Sequence, residues 1–181
     1  MACDASCTTC SGALSTQCLS CAGSLYLNTA SNSCLSTCPN GTYKNTTTHI
    51  CTSCHSSCTT CSAGTSTDCL TCTVPLYYQT STKQCVSTCN NGQYPAPTPT
   101  PLCTACYSSC TTCSGGASNQ CLSCSGTLYL NTGTSTCLST CPNGTYKNTS
   151  NNVCTACDPT CTTCSGGGAS LCLSCTVPLY Y

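Results

Sequence analysis

The chain has 181 residues, 29 of them cysteine, with 3 Lys, 3 Asp, 2 His, no Arg, no Glu and zero net charge. Ordinary soluble domains are about one-quarter charged, so clustered basic contacts to nucleic acid or acidic lipid are excluded, and acid–base catalysis has few groups to use. With 15 Leu, 4 Val, 1 Ile and no Phe or Trp, apolar burial cannot supply an ordinary core, and cysteine at this density marks a disulfide scaffold in an oxidising compartment.

The cysteines recur every 51–52 residues, which makes repeats the first level of organisation. Repeat 1 (1–53) carries Cys3, Cys7, Cys10, Cys18, Cys21, Cys34, Cys38 and Cys51. Leu25-Tyr26-Leu27 predicts a short strand, and Asn40-Gly41 a turn whose glycine accepts positive φ. Repeat 2 (54–105) carries Cys54, Cys58, Cys61, Cys69, Cys72, Cys85, Cys89 and Cys103, with Leu76-Tyr77-Tyr78 as strand, Asn91-Gly92 as turn and a Pro-rich insert over 95–101. Repeat 3 (106–156) carries Cys106, Cys110, Cys113, Cys121, Cys124, Cys137, Cys141 and Cys154, with Leu128-Tyr129-Leu130 and Asn143-Gly144. Repeat 4 (157–181) carries Cys157, Cys161, Cys164, Cys172 and Cys175, then Leu179-Tyr180-Tyr181. The predicted fold class is small disulfide-rich repeats: an elongated rod of short β-hairpins and turns with almost no helix, in which neighbours touch only neighbours. The strand tyrosines are expected to pack on nearby disulfides with their hydroxyls in water.

A longer period overlies the first. Repeats 1 and 3 share CLSTCPNGTYKNT, repeats 2 and 4 share TVPLYY, and Cys106 and Cys157 lie 103 residues after Cys3 and Cys54. A pair of unlike units copied in tandem points to an array whose length or regularity is useful. No apolar stretch approaches the 18–20 residues of a membrane span, and no basic and apolar leader follows Met1. Together with the five cysteines of repeat 4, this leads to the expectation that the sequence is a piece of a longer array.

The opening Cys51, Cys54, Cys58, Cys61 run, then Cys69-Leu70-x-Cys72, the Leu-Tyr strand and the Cys-Pro-x-Gly-x-Tyr stretch from Cys38 to Tyr43 resemble furin-like, growth-factor-receptor-type cysteine-rich repeats, in the style of ciliate and other protist surface-protein arrays. The resemblance covers essentially the whole chain, with two departures in repeat 2: Cys89-Asn90-Asn91-Gly92 lacks the proline, and the Pro-rich insert is extra. Eight cysteines allow 105 pairings. The resemblance implies first with third, second with fourth, fifth with sixth and seventh with eighth. In repeat 1 that pairs Cys3 with Cys10, Cys7 with Cys18, Cys21 with Cys34 and Cys38 with Cys51. In repeat 2 it pairs Cys54 with Cys61, Cys58 with Cys69, Cys72 with Cys85 and Cys89 with Cys103. Repeat 3 would join Cys106 to Cys113, Cys110 to Cys121, Cys124 to Cys137 and Cys141 to Cys154, and repeat 4 would join Cys157 to Cys164 and Cys161 to Cys172. Cys175 is then unpaired in this segment, its partner expected further along the array.

Other chemistries fit less well. Zinc sites use paired Cys-x2-Cys, but eight thiolates per repeat would carry a large negative charge with almost no Lys or Arg to offset it. Dithiol redox enzymes use one reactive pair on a βαβ frame, whereas these pairs are many and equivalent. Asp4, Asp68, Asp158, His49 and His55 are scattered over different repeats and cannot form a triad. No enzyme, metal site or cofactor is therefore expected, and Asp4 and Asp158, at equivalent positions, are expected to serve turns.

Asn40, Asn45, Asn143 and Asn148 stand in N-glycosylation sequons. Thr98 and Thr100, within the Pro-Thr alternation, are candidate O-glycosylation sites on an extended polyproline stretch. A chain with 3% charged residues and zero net charge lacks electrostatic protection against self-association, so it is expected to carry covalent glycans or to assemble. The expected function is a structural, secreted or cell-surface repeat array forming part of a stalk, coat or filament, with self-assembly or further repeats of the same chain as partners, no nucleic acid and no membrane span in this segment. The alternatives are a receptor or adhesin ectodomain that binds a protein or glycan ligand, with repeat 2 as the asymmetric unit, and a cytosolic metal-binding protein.

Overall fold

The computed structural model describes residues 2–96 and 100–175. The candidate Thr98 and the expected strand at Leu179-Tyr180-Tyr181 lie outside the described residues. Among those residues the chain forms two compact units, one built of 2–88 and 100–103, the other of 89–96 and 104–175.

In the first unit, β1 (Cys7–Cys10) and β2 (Cys18–Cys21) form an antiparallel hairpin. β1 reads Cys-Thr-Thr-Cys and β2 Cys-Leu-Ser-Cys, so β-branched Thr stands between the paired cysteines, and Thr9 Oγ1 meets Ser20 Oγ across the strands at 2.5 Å. Register is irregular at Thr9, and two bridges, Cys3–Cys10 and Cys7–Cys18, fix it. Next, β3 (Tyr26–Asn28), β4 (Ser33–Leu35), β5 (Thr42–Asn45) and β6 (Ile50–Ser53) form one sheet in the order β4-β3-β6-β5. The central pair, β3 and β6, is parallel, Leu27 beside Ile50, and Leu27 N–H donates to the His49 carbonyl at 2.9 Å. Bridges Cys21–Cys34 and Cys38–Cys51 tie the sheet to the hairpin and to its own edge.

The pattern then starts again. β7 (Cys58–Cys61) and β8 (Cys69–Cys72) repeat the first hairpin, and β9 (Tyr77–Gln79) and β10 (Gln84–Val86) repeat β3 and β4. The bridges here are Cys54–Cys61, Cys58–Cys69 and Cys72–Cys85, and Cys89 and Cys103 are each disulfide-bonded. The second unit contains β11 (Gln93–Ala96). β12 (Leu102–Ala105) runs from one unit into the other, and its Leu102 pairs in parallel with Tyr78. The second unit continues with the hairpin of β13 (Cys110–Cys113) and β14 (Cys121–Cys124), then the sheet of β15 (Tyr129–Asn131), β16 (Thr136–Leu138), β17 (Thr145–Asn148) and β18 (Val153–Ala156). It ends in the hairpin of β19 (Cys161–Cys164) and β20 (Cys172–Cys175). Its bridges are Cys106–Cys113, Cys110–Cys121, Cys124–Cys137, Cys141–Cys154, Cys157–Cys164 and Cys161–Cys172.

The buried centre of each repeat is cystine rather than aliphatic. Cys7 and Cys18 with Leu27, then Cys58, Cys61 and Cys69, then Cys110, Cys113 and Cys121 form separate clusters. Each short bridge contributes about 2–3 kcal/mol, which is how chains this poor in aliphatic residues remain ordered. One 3₁₀ turn, Ala169–Leu171, is present, and its cause is local. In repeats 1 to 3 the side chains of Gln17, Asp68 and Gln120 fold back to accept the N–H of Leu14, Thr65 and Ala117. Leu171 occupies the same position and has no side-chain acceptor, so its loop is closed by the backbone bonds from Leu171 N–H to the Gly168 carbonyl and from Ser165 N–H to the Leu171 carbonyl, with the Ser165 hydroxyl on that same oxygen.

Candidate functional site

The scattered polar residues serve their own turns. Asp4 Oδ1 accepts Ser6 N–H at 3.0 Å and the Ser6 hydroxyl at 2.7 Å, and those bonds hold its carboxyl below the usual carboxylate range. Asp158 does the same with Thr160, hydroxyl first and N–H second, with the same downward direction. His55, at the equivalent position of repeat 2, uses Nδ1 toward Ser57. Asp68 accepts from Thr65, and His49 stacks on Tyr26 at 5.5 Å. None of these groups is brought to another, and no cluster of three His, Cys, Asp or Glu suited to a metal exists among the described residues.

What recurs is the junction from one repeat to the next. Pro39-Asn40-Gly41-Thr42 turns with Thr42 N–H on the Pro39 carbonyl at 3.0 Å and the Thr42 hydroxyl on the same oxygen at 2.6 Å. Gly41 sits at φ +82°, where a side chain would be strained. It donates its N–H to the Thr59 carbonyl of β7 at 2.7 Å, and its carbonyl accepts Cys54 N–H at 2.8 Å. Gly92 and Gly144 repeat both bonds with Thr111 and Cys106, and with Thr162 and Cys157, at 2.7–2.8 Å. Asn90 replaces the proline in repeat 2 without loss of the turn, since Gln93 N–H still reaches the Asn90 carbonyl at 3.0 Å. The tyrosine that follows each glycine leans onto the next repeat. A Cβ added at Gly64 would stand 3.6 Å from Tyr43 Oη, at Gly116 3.3 Å from Tyr94 Oη, and at Gly167 3.6 Å from Tyr146 Oη. Tyr43 and Tyr94 also pack on the cystine clusters of the repeats they meet.

The sequence singled out Tyr43 as the end of the Cys-Pro-x-Gly-x-Tyr stretch but gave none of these tyrosines a role. The strand tyrosines behave differently: Lys44 Nζ lies 5.6 Å over the Tyr26 ring and Lys147 Nζ 5.5 Å over Tyr129. Among the described residues Tyr78 is the strand tyrosine that joins a cystine cluster, as was expected of every strand tyrosine. Its signal was visible in retrospect, because Tyr78 stands where repeats 1 and 3 have Leu27 and Leu130.

The sequons lie on this frame. Asn40 and Asn143 are exposed beside the junction glycines, while Asn45 and Asn148 are half-buried at the ends of β5 and β17. Asn45 Oδ1 accepts the N–H of Thr47 and Thr48, and Asn148 Oδ1 that of Ser150. N-linked sugar attaches through the amide nitrogen, so these turns and a glycan are compatible. Thr100 lines a cleft of about 410 Å³ with Thr59, Leu70, Thr71, Tyr78, Pro101 and Leu102, beside an exposed Val74. Cys175 is free and exposed.

No protein-family model matches the chain. It is 36% identical, over 96% of its length, to "Cysteine repeat modular protein 2" of Tetrahymena thermophila, and 33% identical over 92% to "Furin-like protease 2" of Drosophila melanogaster. It is also 32% identical over 77% of its length to "Variant-specific surface protein VSP4A1" of Giardia intestinalis. The chain spans 10% of the length of the first two and 22% of the third. Cystines at nearly every cysteine require an oxidising compartment, and with these relatives the chain is extracellular or displayed at the cell surface.

Proposed function

Because the chain is an array of furin-like cysteine-rich repeats, we propose that it is a non-enzymatic structural segment of a glycosylated surface stalk, coat or filament. The observation that carries this is the junction. The same two hydrogen bonds and the same tyrosine contact recur three times, so what the sequence repeats is the way one unit is set on the next. The charged residues support the non-enzymatic part, since Asp4 and Asp158 are consumed by turns. N-glycans on Asn40, Asn45, Asn143 and Asn148 would supply the solubility that charge does not. The test is electron microscopy of the full-length native protein before and after enzymatic deglycosylation. Filaments or a continuous coat that change thickness on deglycosylation are expected, and an unglycosylated, unassembled monomer would remove the proposal.

A second reading, an ectodomain that binds a ligand, is favoured by one observation, the cleft around Tyr78 in repeat 2. It predicts that replacing Tyr78 with Leu, as in repeats 1 and 3, abolishes capture of a partner from the cell surface while leaving array assembly intact.

A further inference from the structure

The cleft of about 410 Å³ in repeat 2 lies wholly within the first unit, between the hairpin of β7 and β8 and the sheet residues Tyr78 and Leu102. Its hydroxyls are open. The half-buried Thr59 and Tyr78 and the exposed Thr100 all line it, and none of their hydroxyls has a hydrogen-bond partner among the described residues. The rest of its wall is apolar, with Pro101 and a Leu70 that is 54% exposed. In repeat 3 the same threonine is closed: Thr111 Oγ1 donates to the Cys124 carbonyl at 2.9 Å, and Leu130 stands in place of Tyr78. Repeat 4 goes with repeat 2, since it shares TVPLYY and its Thr162 hydroxyl has no partner among the described residues.

The preceding repeats follow the same alternation. The peptide that joins Asn40 to Gly41 donates to the Thr59 carbonyl at 2.7 Å, and the one that joins Asn143 to Gly144 donates to the Thr162 carbonyl at 2.7 Å. Both asparagines are exposed, and both stand in Asn-Gly-Thr sequons. At the junction between them Asn91-Gly92-Gln93 meets the closed Thr111 and is no sequon. A sequon therefore adjoins each open hairpin, and none adjoins the closed one.

We propose that the N-linked glycan of Asn40 folds back into the repeat 2 cleft and seats a neutral sugar against Tyr78, with Asn143 and the Thr162 hairpin as a second such pair. The proposal rests on the glycosylated reading and adds where the sugar sits. No Lys, Asp or His lines the cleft, so a charged group would be buried there unpaired, at a cost. A hydroxyl both donates and accepts, and a sugar offers the same two roles around its ring, while its C–H face packs on Leu70, Pro101 and the tyrosine. Three hydroxyls and one ring would hold a free sugar weakly. A sugar attached beside Thr59 needs no more, because its effective concentration at the cleft is high. The 103-residue pair of unlike repeats is then the unit that holds one sugar and its seat.

The test uses the full-length glycoprotein and its variants, with site occupancy read by glycopeptide mass and the rate of release by an N-glycanase followed at each site of the folded, unreduced chain. Asn45 and Asn148 are the internal references. Tyr78→Leu, the residue that repeats 1 and 3 carry there, is expected to speed release at Asn40 about tenfold, and Thr59→Val, which keeps the carbonyl and removes the hydroxyl, about fivefold, with the references unchanged. Gln93→Thr completes a sequon at Asn91, before the closed hairpin, and sugar there is expected to leave at the fast rate. Unchanged release at Asn40 in both variants, acceleration at every site alike, or slow release at Asn91 overturns the proposal and leaves the glycosylated reading standing. An unmodified Asn40 overturns both, and the occupancy measurement tells the two failures apart.

Discussion

Repeats 1 and 2 hang different side chains on one cysteine frame. Where repeat 1 has Gly23, Leu27, Lys44 and His49, repeat 2 has Val74, Tyr78, Pro95 and Pro101. Yet Leu27 N–H reaches the His49 carbonyl at 2.9 Å, and Tyr78 N–H reaches that of Pro101 at the same 2.9 Å. The first bridges match as well, with Cα separations of 5.7 Å for both Cys3–Cys10 and Cys54–Cys61. Bridges and backbone hydrogen bonds thus carry the geometry, and the residues between are free to differ. In repeat 1 they place a lysine over a tyrosine, and in repeat 2 they leave an uncharged cleft.

If that division is right, the largest effects belong to buried cystine. Replacing Cys58 and Cys69 together by Ala should cost repeat 2 about 3 kcal/mol, read as lost hydrogen-exchange protection over β7 and β8. The same double replacement at Cys7 and Cys18 should do equal damage in repeat 1, because Cys18 and Cys69 are both 0% exposed. A markedly smaller loss in one repeat would break the equivalence.

Glycines come next, and they separate by backbone rather than by space. Gly41→Ala meets nothing within 4 Å but sits at φ +82°, so it should cost about 1–2 kcal/mol in a urea titration. Gly64→Ala, under Tyr43 at 3.6 Å and in ordinary backbone, should be close to neutral in the same titration.

A smaller loss than that of Gly41→Ala is expected where the repeats differ most. Lys44→Ala removes the cation above Tyr26 and should lower stability by about 0.5–1 kcal/mol, whereas Pro95→Ala, at the equivalent place, should not reproduce that loss. A thermal scan of the two variants side by side decides the point.

The Leu-Tyr strands and the Asn-Gly turns were legible because both are local signals, whereas the Cys-Thr-Thr-Cys and Cys-Leu-x-Cys hairpins were not, since neither strand carries an apolar alternation. The extracellular setting was legible from cysteine and charge alone. The parallel pairing of β3 with β6 was not, because Leu27 and Ile50 are brought together by the chain between them and carry no shared pattern. Nor was the role of Tyr43: its spacing from Gly41 says nothing about which cystine it will cover, since that depends on how the next repeat is set. The turn at Ala169–Leu171 was hidden for a different reason, as the loss of one side-chain acceptor at Leu171 has no periodicity to betray it. Asn45 and Asn148 were visible as sequons, while their use of Oδ1 to close turns belongs to the folded chain.

The central claim is that cystine, rather than metal or an apolar core, holds this chain together. Alkylation of the native chain without reductant, followed by intact mass and elemental analysis, tests it most directly. One labelled thiol, at Cys175, with no bound zinc is the result expected here. Extensive labelling, or zinc released in proportion to thiols, would contradict it.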